Sequence, residues 1–207
     1  MLHGIFRTTR SMQGLSNFLA NHGYLMLNVG YPFTREDLAQ LARHIHPQIE
    51  AFTTAVPGRL HIVGYSMVGM LVRAYLKVFM PRNLGTVVLL ATPNQGSEVA
   101  DFLKNWALYR KLYKPAGQQL ATDFAEAAAL FGDVAYETGI LAGTRTIDPV
   151  SSWIIGKPND GKVSVESTKL HGVKDHAVLK VSHTFFPSSR KVWRQALHFL
   201  EKGRFAA

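Results

Sequence analysis

Leu60-His61-Ile62-Val63-Gly64-Tyr65-Ser66-Met67-Val68-Gly69 decides how the chain is read. Its first four residues form a short apolar run that passes straight into Gly64, the pattern of a strand buried on both faces. After the serine, Leu71, Ala74, Tyr75 and Val78 recur at helical spacing until Pro81 stops them. A strand that turns directly into a helix, with one hydroxyl at the turn, is a place where a serine is held exposed above a sheet.

The same alternation continues on both sides. Upstream, Thr8 or Thr9 begins a predicted helix through Met12, Leu15, Phe18 and Leu19 to His22, stopped by Gly23. Tyr24-Leu25-Met26-Leu27-Asn28-Val29 reads as a buried strand, ended by Gly30 and Pro32. Thr34 and Asp37 give a start signal for a second helix carrying Leu38, Leu41, Ile45 and Ile49, and Pro57-Gly58 makes the turn before the central strand.

Downstream, Thr86-Val87-Val88-Leu89-Leu90 is a third strand, and strand character returns at Thr138-Gly139-Ile140-Leu141-Ala142. A loop-rich stretch runs through Asp160 and Gly161, Ala177 to Val181 forms a last strand, and Ser188 or Ser189 starts a closing helix through Val192, Ala196 and Phe199 to Gly203. Strands alternating with helices predict an α/β fold with a mostly parallel sheet covered on both faces. The 207 residues fit one domain over 1–207, in which the apolar helical stretch 94–131 reads as a short cap over a pocket.

Composition narrows the chemistry. Without cysteine there is no disulfide, thiolate metal site or cysteine nucleophile. No His-x-x-x-His or paired-carboxylate array stands at ligand spacing, so neither metal nor cofactor is expected. The formal charge of +9 is spread from Arg7 to Arg204 without a basic run or aromatic-basic array, which reads as a solvated surface and not a nucleic-acid site. No apolar run approaches the roughly 18 residues of a membrane span. Met1 to Arg7 lacks the pattern of a secretory signal, which leads to the expectation of a cytoplasmic protein.

A serine hydroxyl needs a base to take its proton and N–H donors for the oxyanion that follows. Met67, directly after Ser66, supplies one such N–H, and His3-Gly4-Ile5 lies where a second belongs. His183 follows the last predicted strand and is the expected base. His44, His46 and His198 fall on helices, His61 in a strand, and His171 and His176 before the last strand. For the acid, Asp160 in Asn159-Asp160-Gly161 lies in a turn, Asp148 before Pro149 reads equally as a helix cap, and Glu166 is a third choice.

Together, Leu2-His3-Gly4-Ile5, Val29-Gly30-Tyr31-Pro32, Val63-Gly64-Tyr65-Ser66-Met67, Ala91-Thr92-Pro93-Asn94-Gln95-Gly96-Ser97, Asp160-Gly161-Lys162-Val163-Ser164 and Val181-Ser182-His183 resemble the small bacterial lipases and esterases of the α/β-hydrolase superfamily. The resemblance implies cleavage of a small-molecule ester or lipid by a Ser66, Asp160, His183 triad, with the oxyanion held by the N–H groups of Ile5 and Met67. Phe6, Phe102, Leu103 and Trp106 would line the acyl side. Two positions depart from the family pattern: Tyr65, often histidine, and Val68, nearly always glycine, with Gly69 one place later. An elbow widened around the valine is the expectation. The family also has a buried strand before the His-Gly pair, of which only Met1-Leu2 stands here, so that strand is expected to be cut short.

Overall fold

A computed structural model describes residues 12–32, 36–96 and 131–207. Helix α1 (Gln13–Ala20) and α2 (Leu38–Ala55) precede β1 (Leu60–Tyr65), α3 (Val68–Phe79) and β2 (Leu84–Leu90). After the undescribed stretch come β3 (Thr138–Gly143), α4 (Pro149–Ile155), α5 (Val165–Thr168), β4 (Asp175–Leu179), a 3-10 turn (His183–Ser188) and α6 (Arg190–Lys202). The four strands pair in the order β1-β2-β3-β4, all parallel.

Alternation along each strand divides the core into two layers. Ile62, Val87, Leu89 and Ile140 face the α2 and α3 side, with Leu41, Ile45, Leu71 and Tyr75. Val63, Tyr65, Val88, Leu90 and Leu141 face the other side, with Leu15 and Leu19 of α1 and Val192, Ala196 and Phe199 of α6. The strands are buried on both faces because each face meets a helix layer.

Three expectations are refined. Tyr24 to Val29 forms no regular element and lies in no ladder of the described residues. Between that segment and β1 lies a cavity of about 270 Å³ lined by residues such as Leu19, Met26, Leu27, Leu60 and Ile62. The second helix is capped by Asp37, whose side chain accepts from Gln40 N at 2.7 Å while Gln40 Oε1 accepts from Asp37 N at 3.0 Å; Thr34 lies outside the described residues. The stretch before Asp160 is not only loop, since Pro149 at the first position and Asp148 as cap build α4 there.

The last strand also runs two residues earlier than expected, since Val181 N already turns back to the Leu179 carbonyl at 2.8 Å. The expected start of the first helix at Thr8 or Thr9, the short N-terminal strand and nearly all of the 94–131 cap fall outside the described residues.

Candidate active site

Ser66 lies between β1 and α3 with φ 59°, in the left-handed region that a non-glycine residue enters only when its surroundings require it. Its N–H is held by the Leu90 carbonyl of β2 at 2.7 Å, so the turn is anchored to the neighbouring strand. The tightness of the turn is absorbed by glycines. A Cβ on Gly64 would stand 3.0 Å from the Gly69 Cα, and one on Gly69 would overlap the Thr92 side chain. Gly69 therefore makes the close helix-to-strand approach, and Val68 is fully buried in the core beside α2 and β2. The expected widening around Val68 is not what is found: the valine points into apolar packing and the contact uses the next residue.

Ser66 Oγ lies 2.9 Å from His183 Nε2, and His183 Nδ1 lies 2.8 Å from Asp160 Oδ2. A carboxylate only accepts, so Nδ1 carries the proton and Nε2 is left to accept from the serine hydroxyl. The loops bearing the two residues are joined a second time, by His183 N donating to the Asp160 carbonyl at 2.8 Å. Asp160 is 1% exposed, and its Oδ1 accepts from Lys162 N at 3.0 Å and Val163 N at 2.8 Å. Two N–H groups fix one oxygen and thereby aim the other at the imidazole. Gly161, at φ 95°, permits the turn that presents them.

Asp148, the competing acid, lies elsewhere. It caps α4 through Ser151 N at 3.0 Å and binds Lys162 Nζ at 2.6 Å. The Lys162 ammonium and then the Ser151 N–H hold its carboxyl down at about 2, below the ordinary 3.8. Glu166 pairs with Lys169 at 2.7 Å. Among the other histidines, His61 bonds Thr86 Oγ1 at 2.7 Å and His176 bonds Thr168 Oγ1 at 2.9 Å, while His44, His46 and His198 are on α2 and α6.

Met67 is the N-cap of α3, and no backbone acceptor among the described residues takes its N–H. Ile5, Phe6, Phe102, Leu103 and Trp106 lie outside the described residues.

Two contacts of the site were not expected from the sequence. Tyr65 is 2% exposed, its hydroxyl donates to the His183 carbonyl at 2.5 Å, and its ring lies 5.2 Å from the imidazole. It props the histidine loop from below. Arg73 of α3 is buried, with its guanidinium donating to the Asn94 carbonyl at 3.2 Å and stacked 4.6 Å over the Phe131 ring. Burial pulls its pKa below the usual guanidinium range. Asn94 in turn donates to the Thr168 carbonyl of α5 at 2.8 Å, which ties the serine's helix to the element just after the Asp160 loop.

The fold has solved counterparts. The mature lipase BlEst2 of Bacillus licheniformis matches at TM-score 0.72 and 20% identity over 98% of this chain and 89% of that one. A metagenomic carboxyl esterase, MGS0156, matches at TM-score 0.68 and 16% identity over 83% and 58%. The chain has the α/β-hydrolase fold. In that α/β-hydrolase fold the serine turn, the Asp160 loop and His183 lie together at the carboxyl ends of the parallel strands, where such sheets open to ligands. Among curated proteins the lysosomal thioesterase PPT2 of mouse is 23% identical over 209 residues, and that of rat 24% over 208, each spanning 84% of this chain and 67% of the relative. No family model matches the chain.

Proposed function

We propose that this chain is a serine hydrolase that cleaves carboxylic esters of small molecules or lipids through an acyl-enzyme. The observation that carries the reading is the unbroken hydrogen-bond line from Ser66 Oγ through His183 to Asp160, 2.9 Å and 2.8 Å long, built on a serine at positive φ.

Ser66 Oγ attacks the ester carbonyl carbon as His183 Nε2 takes its proton, and the carbonyl electron pair moves onto oxygen. That oxyanion is met by the Met67 N–H and, by the family resemblance, by the N–H of Ile5. Collapse expels the alcohol, which receives the proton from His183. A water then repeats the sequence on the acyl-Ser66 ester, releasing the acid. Asp160 stays ionised, keeping Nδ1 protonated and balancing the imidazolium. Phe6, Phe102, Leu103 and Trp106 are proposed for the acyl side, and 94–131 for a cap within one 1–207 domain.

The likeness to lysosomal thioesterases favours a second substrate class. The steps are the same, with a thiol as leaving group. Turnover of p-nitrophenyl butyrate and of a butyryl thioester, each with wild type and Ser66→Ala, tests both. Wild-type turnover that drops by about 10³-fold or more in the variant is expected. Equal rates would overturn the proposal, and thioester turnover far above ester turnover would move it to the second class.

A further inference from the structure

Arg73 is a buried cation that the reaction does not use. It stands in the first half of α3, the helix that Ser66 introduces, and is 5% exposed. Its guanidinium donates to the Asn94 carbonyl and lies over the Phe131 ring, while its Nε–H has no partner among the described residues. No carboxylate of the described residues pairs with it. A buried cation held in this way costs stability, and an apolar side chain of similar length would fill the place at lower cost. Packing alone does not account for an arginine here.

What Arg73 touches leads to the acid. Asn94, fully buried, donates from Nδ2 to the Thr168 carbonyl at 2.8 Å, and the next residue, Gln95, donates from its N–H to the Ser167 carbonyl at 3.0 Å. Ser167 Oγ closes the link by donating to the Gly96 carbonyl. The segment after β2 is thus sewn to α5. That helix begins at Ser164, whose hydroxyl accepts from Ser167 N at 3.0 Å. Directly before it stands Val163, whose N–H fixes Asp160 Oδ1 at 2.8 Å.

The opposite side of the segment rests on α3 at two points, Thr92 against Gly69 and Asn94 on Arg73. Asn94, Ser164, Ser167, Thr168 and Asp160 are all buried, so water has little access to these bonds and they hold one arrangement.

We infer that Arg73 is a positioning residue for Asp160: by holding Asn94 it fixes α5, and with it the N–H group that aims the carboxylate at His183. Loss of the guanidinium frees the Asn94 carbonyl, lets α5 drift and loosens the grip of Val163 N on Oδ1. The Oδ2 to Nδ1 bond then spreads over more geometries, while Ser66 and His183 keep their own supports. The inference deepens the hydrolase reading, and only its kinetic readout rests on that reading.

The full chain is compared with Arg73→Met, Arg73→Lys, Asn94→Ala and Leu76→Ala. Leu76 is fully buried on α3 in the core layer shared with α2, off this path, and measures destabilisation alone. The His183 Nδ1–H is followed by proton NMR in each protein carrying Ser66→Ala as well, so this readout needs no turnover. Arg73→Met and Asn94→Ala are expected to move that resonance upfield and to speed its exchange with solvent about tenfold or more, whereas Leu76→Ala changes the exchange by less than about twofold. With Ser66 present, kcat on p-nitrophenyl butyrate is expected to fall about tenfold in the same two variants, with KM within about twofold. Their combination should fall no further than the worse single variant, since both cut one path. Arg73→Lys, which keeps the charge and a donor, should stay within about threefold of wild type. A resonance and exchange rate in Arg73→Met equal to those of Leu76→Ala, or losses that simply add in the double variant, would overturn the inference. Asn94→Ala leaves the Arg73 bond in place, and an unchanged resonance there overturns it even if Arg73→Met does not fold. A resonance that moves as expected in a protein without ester turnover would overturn the hydrolase reading alone.

Discussion

At Ser66 the backbone takes φ 59°, and its neighbours hold it there: the N–H is fixed to Leu90, and Gly64 and Gly69 let α3 approach the strand. The roles proposed for the surrounding residues separate cleanly by substitution. Asp160→Asn keeps the shape but presents the wrong partner to His183 Nδ1, so kcat on p-nitrophenyl butyrate is expected to fall on the order of 10³ to 10⁴-fold. Asp148→Asn, at a helix cap paired with Lys162 and not bonded to the imidazole, should change kcat by less than about threefold, its effect appearing as a loss of roughly 1 kcal/mol in stability. The reverse order would assign the acid to Asp148. Tyr65→Phe removes the hydroxyl that donates to the His183 carbonyl. Loss of one hydrogen bond of about 1.4 kcal/mol at the base predicts a roughly tenfold lower kcat with KM little changed. The sequence marked Tyr65 only as a departure from the family pattern; its contact was not legible because its partner is 118 residues away, and no local spacing reports such a contact.

Among the elements, the junction of β1 and α3 shows what a sequence motif does and does not specify. The strand, turn and helix around Ser66 were legible because apolar run, glycine and helical period follow one another without interruption. Which glycine makes the close contact was not, since that depends on Thr92 from the segment after β2. Gly69→Ala would push a methyl group into Thr92 and is expected to lower stability by about 3 kcal/mol. Val68→Gly would remove a fully buried side chain and add a helix glycine, and is expected to lower stability by about 2–4 kcal/mol without reshaping the turn. Urea unfolding of both variants measures this, and a neutral Gly69→Ala would contradict the assigned contact. Tyr24 to Val29 teaches the complementary lesson: its apolar composition was legible, but a ladder needs a neighbour, which composition does not report, and the segment joins no ladder among the described residues. Asp160 and His183 were proposed from chain order, strand then turn then histidine, and the two side chains lie within hydrogen-bond reach of each other. The distances between them follow from two loops that share both a side-chain and a backbone bond.

Over the whole molecule, parallel strands with helices on both faces were legible from the alternation of elements, while the short α4 was hidden in a stretch rich in loop residues. Stability should carry a histidine signature. Burial is the first cause that pulls both His61 and His176 below the ordinary 6.5. The unfolded chain then takes up protons that the folded chain resists, so this contribution is fully present above about 6.5 and is lost as pH falls below it. Thermal melts should drop by a few degrees between about pH 7 and 5, and less steeply in His61→Gln. The Ser66 line itself is tested most directly by reacting the protein with a fluorophosphonate and locating the adduct by mass spectrometry. The account predicts a single adduct on Ser66, absent in Ser66→Ala and strongly slowed in Asp160→Asn. Equal labelling of wild type and Ser66→Ala, or an adduct on another residue, would contradict it.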